Sequence, residues 1–164
     1  MNTDQLGTYL NDHLAGSEAG LQLIARLAED YPDTEFADGL RSLHAEIEED
    51  QQELKRLLER VADGGSTIKQ AAGWVAEKLT RLKLGLTTAE PLALFEALEA
   101  LSLGILGKRA LWRGLAVIAA DTLDVGEINL ADLERRALDQ WERVEGWRLN
   151  AAERAFTERV GDAV

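Results

Sequence analysis

The chain of 164 residues has no cysteine, and it has only two prolines and two histidines. Without cysteine there are no disulfides, thiolate nucleophiles or cysteine-bound metals, which is typical of a protein from a reducing compartment. The longest uncharged apolar stretch, GLAVIAA at 114–120, is far shorter than the roughly 20 residues that cross a bilayer. The N-terminus lacks the basic start and apolar run of a signal peptide. We therefore expect a soluble, cytoplasmic protein without a transmembrane segment.

The charge of the chain is strongly acidic, with 30 acidic and 18 basic residues and a net charge of −12. Such a surface is repelled by phosphate backbones, so we expect no nucleic-acid partner. The apolar content of 46% is sufficient for a packed core. At this length we expect one domain over residues 1–164.

The hydrophobic pattern is helical throughout. Ala, Leu, Glu and Arg dominate, alternating strand-like runs are absent, and both prolines stand where helical patterns break. The pattern predicts an all-α protein with four long helices at about 3–30, 34–64, 90–120 and 130–160. It predicts a shorter helix from Thr67 to about Lys83, within a long connection at 64–89.

Two helical hairpins joined by one long crossover form the topology of ferritin-like proteins, and the chain resembles that family over nearly its whole length. The family places a glutamate on each of two helices and Glu-x-x-His on the other two, around a pair of metal ions. No Glu-x-x-His occurs in this chain; the nearest sequences are Glu46-Ile-Glu-Glu49 and Glu142-Arg-Val-Glu145. The resemblance thus implies the family's four-helix bundle without its usual metal motif.

Several polar residues fall on or beside the apolar stripes of their helices. On the first helix His13 and Glu18 project roughly 140° apart, so they cannot easily share one central site. The inward polar residues lie near the middle of their helices and predict a buried polar layer: His13, Ser17, Asp50, Arg109, Glu145 and Arg148. The expected hairpin registers place Asp50 level with Ser17, and Arg109 level with Glu145.

This layer has three interpretations. In the first, the carboxylates pair with the guanidiniums of Arg109 and Arg148 in an ion-pair network that sets helix register. In the second, the chain binds iron or manganese without the usual motif, through His13, Asp50, Glu99 and Glu145. In the third, the two arginines hold a small anion. An arginine cannot ligate a metal and repels one nearby, which favours the network.

Other features concern helix contacts. Gly16 and Gly20 predict that a neighbouring helix comes close to the first helix. The predicted crossover helix is amphipathic and basic, and its simplest role is to pack on the bundle. Trp74 on it, and Trp147 on the last helix, lie off their apolar faces and are candidate interface residues for a protein partner or a homodimer.

No further motif predicts catalysis. The chain has no strand followed by a phosphate loop, no plausible nucleophile and histidine pair, and no calcium loop that fits DTLDVGEINLAD. We therefore expect a non-enzymatic protein that acts by binding or assembly, with noncanonical metal handling as the alternative.

Overall fold

The structure, a computed structural model, describes residues 2–63 and 90–157. These residues form four helices and no strand: α1 Thr3–Asp30, α2 Glu35–Asp63, α3 Pro91–Ala119 and α4 Leu130–Thr157. The prediction of an all-α four-helix bundle is confirmed. The helix expected at 67–83, with Trp74, lies outside the described residues.

The helix starts follow from local capping chemistry. The Asn2 side chain accepts a hydrogen bond from the Gln5 backbone N–H at 3.1 Å, and the Thr34 hydroxyl accepts one from Ala37, also at 3.1 Å. Asn129 caps α4 in the same manner, accepting from Asp132 at 3.0 Å. Pro91 stands at the first turn of α3, where its missing N–H costs no intrahelical bond. Each cap supplies an acceptor to an N–H that has no partner within the helix.

Side-chain contacts define the register and direction of the helices, and the two helices of each hairpin run antiparallel. Contacts of Gln51 with Ser17 align α2 with α1, and contacts of Glu145 with Ser102 align α4 with α3. Between the hairpins, α2 and α4 also run antiparallel, because positions rise on α2 as they fall on α4: Gly39 faces Trp147, Glu46 faces Arg143, and Glu49 faces Arg136. It follows that α2 and α3 run in the same direction, diagonally across the bundle.

The end of α2 and the start of α3 therefore lie at opposite ends of the bundle. Arg60, in the last turn of α2, lies 3.5 Å from Asp124, which follows α3. In this connection Gly126 adopts a φ of +58°, a conformation that glycine enters at little cost. This arrangement of helices is the one expected for two hairpins whose connection runs the length of the bundle.

The core lies along the axis, between the apolar stripes of all four helices. Leu10, Leu40, Leu98 and Val144 are each fully buried within it. The packing is uneven, however: a groove of about 620 Å³ opens between α1 and α3, with its floor on α2.

The close helix contact predicted at Gly16 and Gly20 is not made by any described residue. A Cβ atom placed at either glycine would meet nothing in the described structure within 4 Å. Both glycines line the groove, and none of the four described helices packs directly on them.

None of the four described helices contains a stretch that is both long and apolar enough to span a bilayer.

Candidate functional site

Asp50 is the centre of the polar interior. Its side chain is 1% exposed, and it occupies a core position on α2. The Lys108 ammonium donates a hydrogen bond to Asp50 Oδ2 at 2.6 Å and another to Gln140 Oε1. Gln140 Nε2 in turn donates to the same carboxylate oxygen at 3.2 Å. Three helices thus meet in one closed triangle of side chains.

The Lys108 side chain is largely shielded from solvent. Its side chain is 12% exposed, and burial lowers the pKa of the ammonium from its ordinary value, while the Asp50 charge opposes that change. A buried ammonium is stabilised only when its desolvation is offset by a close anion. Asp50 supplies that anion, so the two charges depend on each other.

A second layer of ion pairs joins α2 to α4 beside this triangle. Arg136 Nη2 lies 3.1 Å from the other Asp50 oxygen and donates to Glu49 at 2.9 Å. Arg143 donates two hydrogen bonds to Glu46, at 2.8 and 2.6 Å. The bond from Arg143 lowers the pKa of the Glu46 carboxyl. These bidentate and charge-assisted contacts set the relative position of the two hairpins.

Glu145 and Arg148 form a separate group between α3 and α4. Arg148 donates to both Glu145 oxygens, one of them at 2.9 Å from Nε, and Ser102 donates to the same carboxylate at 3.1 Å. The contact with Arg148 lowers the pKa of Glu145. Glu99 lies 3.5 Å from Arg148, whose guanidinium also stands over the Phe95 ring. These charges are satisfied within the group.

Arg109 does not lie level with Glu145 as expected. Its guanidinium donates to Glu134 at 3.3 Å, and Glu134 precedes Glu145 by about three helical turns. The expected register was wrong because the register of α3 and α4 depends on how the 120–129 connection folds, which the helical pattern does not determine. The arginine that faces the carboxylate of Glu145 is Arg148, on the same helix.

His13 lies half-buried at the edge of the groove. Its ring meets the Tyr9 ring edge-on, with centroids 4.7 Å apart. Burial lowers the pKa of His13, and the nearby charge of Asp12 opposes the change. Asp50 lines the same groove, but its hydrogen bonds go to Lys108 and Gln140.

The residues of the metal interpretation are therefore distributed over different groups. Asp50 is bound by Lys108, whereas Glu145 and Glu99 contact Arg148. Within residues 2–63 and 90–157, no group of three or more His, Asp or Glu side chains is placed to hold a metal ion. The third interpretation requires Arg109 and Arg148 to hold one anion jointly. In the structure, the two arginines belong to separate ion-pair groups.

Two members of the central triangle, Lys108 and Gln140, are not among the residues that the sequence predicts for the buried polar layer. Both continue the buried positions of their helices: Lys108 lies between Ile105 and Trp112, and Gln140 between Ala137 and Val144. This i, i+3, i+4 spacing was the available signal.

Trp147 belongs to the packing between α2 and α4. Its ring lies against Gly39, where a Cβ would come within 2.7 Å of Cζ2, and it meets the Phe36 ring edge-on at 5.2 Å. Glycine at position 39 therefore permits the close approach of this tryptophan. The indole that was a candidate interface residue contacts its own chain.

Comparisons of the chain with models of protein families, with curated proteins and with solved structures find no match.

Proposed function

We propose that the chain is a ferritin-like helical bundle that acts by binding or assembly, not by catalysis. The observation that carries this proposal is the state of Asp50. The buried carboxylate at the centre of the bundle is held by Lys108, Gln140 and Arg136 of its own chain. A carboxylate with these partners acts as a structural anion that fixes three helices in register.

Exposed apolar side chains support a role at the surface. Leu92, Leu149 and Phe156 are 48%, 56% and 66% exposed. The antiparallel register of α3 and α4 places Leu92 level with Phe156, whose ring contacts Phe95 at 5.4 Å. Leu149 lies two turns before Phe156 on the same face of α4. Aromatic and apolar side chains gathered in this way are typical of protein contact surfaces. This patch is the proposed contact surface for a second copy of the chain or for another protein.

Sedimentation velocity over a range of concentrations tests the assembly role. We expect concentration-dependent association that Phe156→Ser weakens by about tenfold, equivalent to about 1.4 kcal/mol. The matched control is Val117→Ser, because Val117 is 74% exposed on another part of α3 and its loss leaves the patch unchanged. A monomer at all concentrations, or equal weakening by both substitutions, contradicts assembly through this patch.

Metal analysis tests the competing function, in which iron or manganese is bound through His13, Asp50, Glu99 and Glu145. The observation in its favour is that His13 and Asp50 border one groove. Protein purified and then incubated with Fe²⁺ or Mn²⁺ is expected to retain less than one ion per chain, with an unchanged melting temperature. Stoichiometric metal that is lost in both Asp50→Ala and Glu145→Ala overturns the proposal in favour of metal handling.

A further inference from the structure

The groove between α1 and α3 has walls that favour close approach. Gly16 and Gly20 stand on the α1 wall, and Gly104 and Gly107 on the α3 wall. A Cβ atom at any of these four positions would meet no described atom within 4 Å. At these four positions a helix backbone can approach to the separations of closely packed helices.

The groove is about four helical turns long. Its lining extends from Tyr9 to Leu23 on α1 and from Ala100 to Trp112 on α3. At 1.5 Å per residue, these spans are about 21 Å and about 18 Å. The space therefore has the shape of a slot for one short helix.

We propose that this groove is the docking site for residues 66–83 of the same chain. The sequence of this segment has one apolar face at helical spacing, formed by Ile68, Ala71, Ala72, Val75, Leu79 and Leu82. As a helix, this face is about 21 Å long, the same length as the α1 wall. Its alanines and valine suit the four positions where the walls carry only glycine.

The ends of the connection are placed for this path. Asp63 and Pro91 lie at opposite ends of the bundle, which is about 43 Å long by the length of α2. A helix over 66–83 covers about 27 Å, and the other residues of the connection span the remainder at up to about 3.3 Å each. The path passes either α1 or α4. The groove lies on the α1 side, whereas α3 and α4 are joined closely by pairs such as Ser102 with Glu145.

Charge favours the same position. Residues 64–89 carry four basic side chains and one acidic side chain, in a chain whose net charge is −12. Asp12 lines one end of the groove. Glu96 is exposed one turn before Ala100 on the same face of α3. An acidic rim attracts the one basic segment of the chain.

Engineered disulfides in the full chain test the docking directly, because the natural sequence has no cysteine. The first variant carries Gly16→Cys and Val75→Cys, which joins the middle of the α1 wall to the middle of the apolar face. The control carries Gly146→Cys and Val75→Cys. Gly146 is an exposed helical glycine on α4, and a Cβ there is equally free of contacts within 4 Å.

Under mild oxidation we expect the Gly16 pair to form an intramolecular disulfide about tenfold or more faster than the Gly146 pair, because docking raises the effective concentration of one thiol near the other. Circular dichroism of the reduced variants verifies folding, and Gly104→Cys with Val75→Cys gives the same test from the α3 wall. Equal rates for the Gly16 and Gly146 pairs, faster bonding of the Gly146 pair, or disulfides formed between two chains would each overturn the proposal.

Discussion

At the scale of single residues, the buried pair of Asp50 and Lys108 is the most demanding feature of the molecule. Each charge is removed from water: Lys108 is compensated mainly by Asp50, Asp50 by Lys108 and Arg136, and Gln140 bonds to both members of the pair. Such a pair adds little stability relative to well-packed apolar residues, but the loss of one member leaves an uncompensated charge in the core. The pair therefore contributes to the specificity of the fold, because α2, α3 and α4 bring the two charges together in only one register.

The first prediction follows from this dependence. We expect Asp50→Asn to lower the free energy of unfolding by about 3–5 kcal/mol, because Lys108 keeps its charge in a site that no longer holds an anion. Lys108→Met is expected to have a smaller effect in the same direction, because Arg136 remains 3.1 Å from the Asp50 carboxylate. Urea denaturation measures both values.

The double variant Asp50→Asn with Lys108→Met is the control. If the pair is coupled, the double change costs clearly less than the two single changes added together. Additive losses would show that the two side chains contribute independently, contrary to the structural role proposed for them.

A second residue-scale prediction concerns two glycines in helices. Gly39→Ala places a Cβ 2.7 Å from the Trp147 ring, and that ring is held against Phe36. We expect a net loss of about 1–2 kcal/mol, because overpacking outweighs the better helix propensity of alanine. Gly146→Ala, in open space, is expected to gain up to about 1 kcal/mol. Thermal denaturation compares the two, and equal shifts would contradict the close contact of Trp147.

At the scale of helices, the sequence predicts where each element lies better than how it is rotated. The first helix begins and ends at the predicted residues, Thr3 and Asp30, because caps and prolines act locally. Neighbouring residues on a helix differ by about 100°, so a small error in the estimated stripe exchanges Lys108 for Arg109. The partner of Glu145 depended on a hairpin register that only the folded 120–129 connection determines. Apolar stripes and capping motifs therefore predict the bundle. The central triangle could not be predicted in the same way, because it depends on the three-dimensional positions of side chains from three helices.

The contact between α2 and α4 leads to a prediction about acid. The hydrogen bond from Arg143 lowers the pKa of Glu46 in the folded state, so folding favours the ionised form. This contribution is fully present above the ordinary glutamate pKa, about 4.3, and is lost as pH falls through the lower pKa of the folded state. Since both side chains are about one-third exposed, we expect about 0.5–1 kcal/mol.

Glu46→Gln is the variant that tests it. At pH 7 it should be less stable than the natural chain by this amount, and the difference should shrink as the pH is lowered toward 3. Glu48→Gln, at an exposed position on the same helix, is the matched control and should show no such convergence. Urea denaturation at several pH values provides the measurement. A constant difference at all pH values would contradict the role of the Arg143 contact.

At the scale of the whole molecule, the two hairpins meet unequally. On one side, ion pairs of Arg136 and Arg143 join α4 to α2; on the other side, α1 and α3 contact each other directly and also border the groove. The hairpins are therefore joined by charged side chains along the α2–α4 side, by the Asp50 triangle and by the contact of α1 with α3.

The net charge of −12 yields a prediction for the molecule as a whole. Several ion pairs among the described residues join exposed side chains three or four residues apart on one helix, and such pairs contribute only about 0.3–0.5 kcal/mol each. Repulsion among excess carboxylates acts over the whole surface and is screened within about 10 Å at 0.1 M salt. The central pair of Asp50 and Lys108 is buried and is screened much less.

We therefore expect the melting temperature to rise by a few degrees when NaCl is raised from 10 to about 300 mM. In a chain of this size, a gain of roughly 1 kcal/mol corresponds to about 2–4 °C. A variant with the exposed Glu29, Glu48 and Glu142 all changed to Gln removes three negative charges, and its response to salt should be smaller. A melting temperature that falls with added NaCl would show that attraction within surface ion pairs outweighs repulsion between like charges, contrary to this prediction.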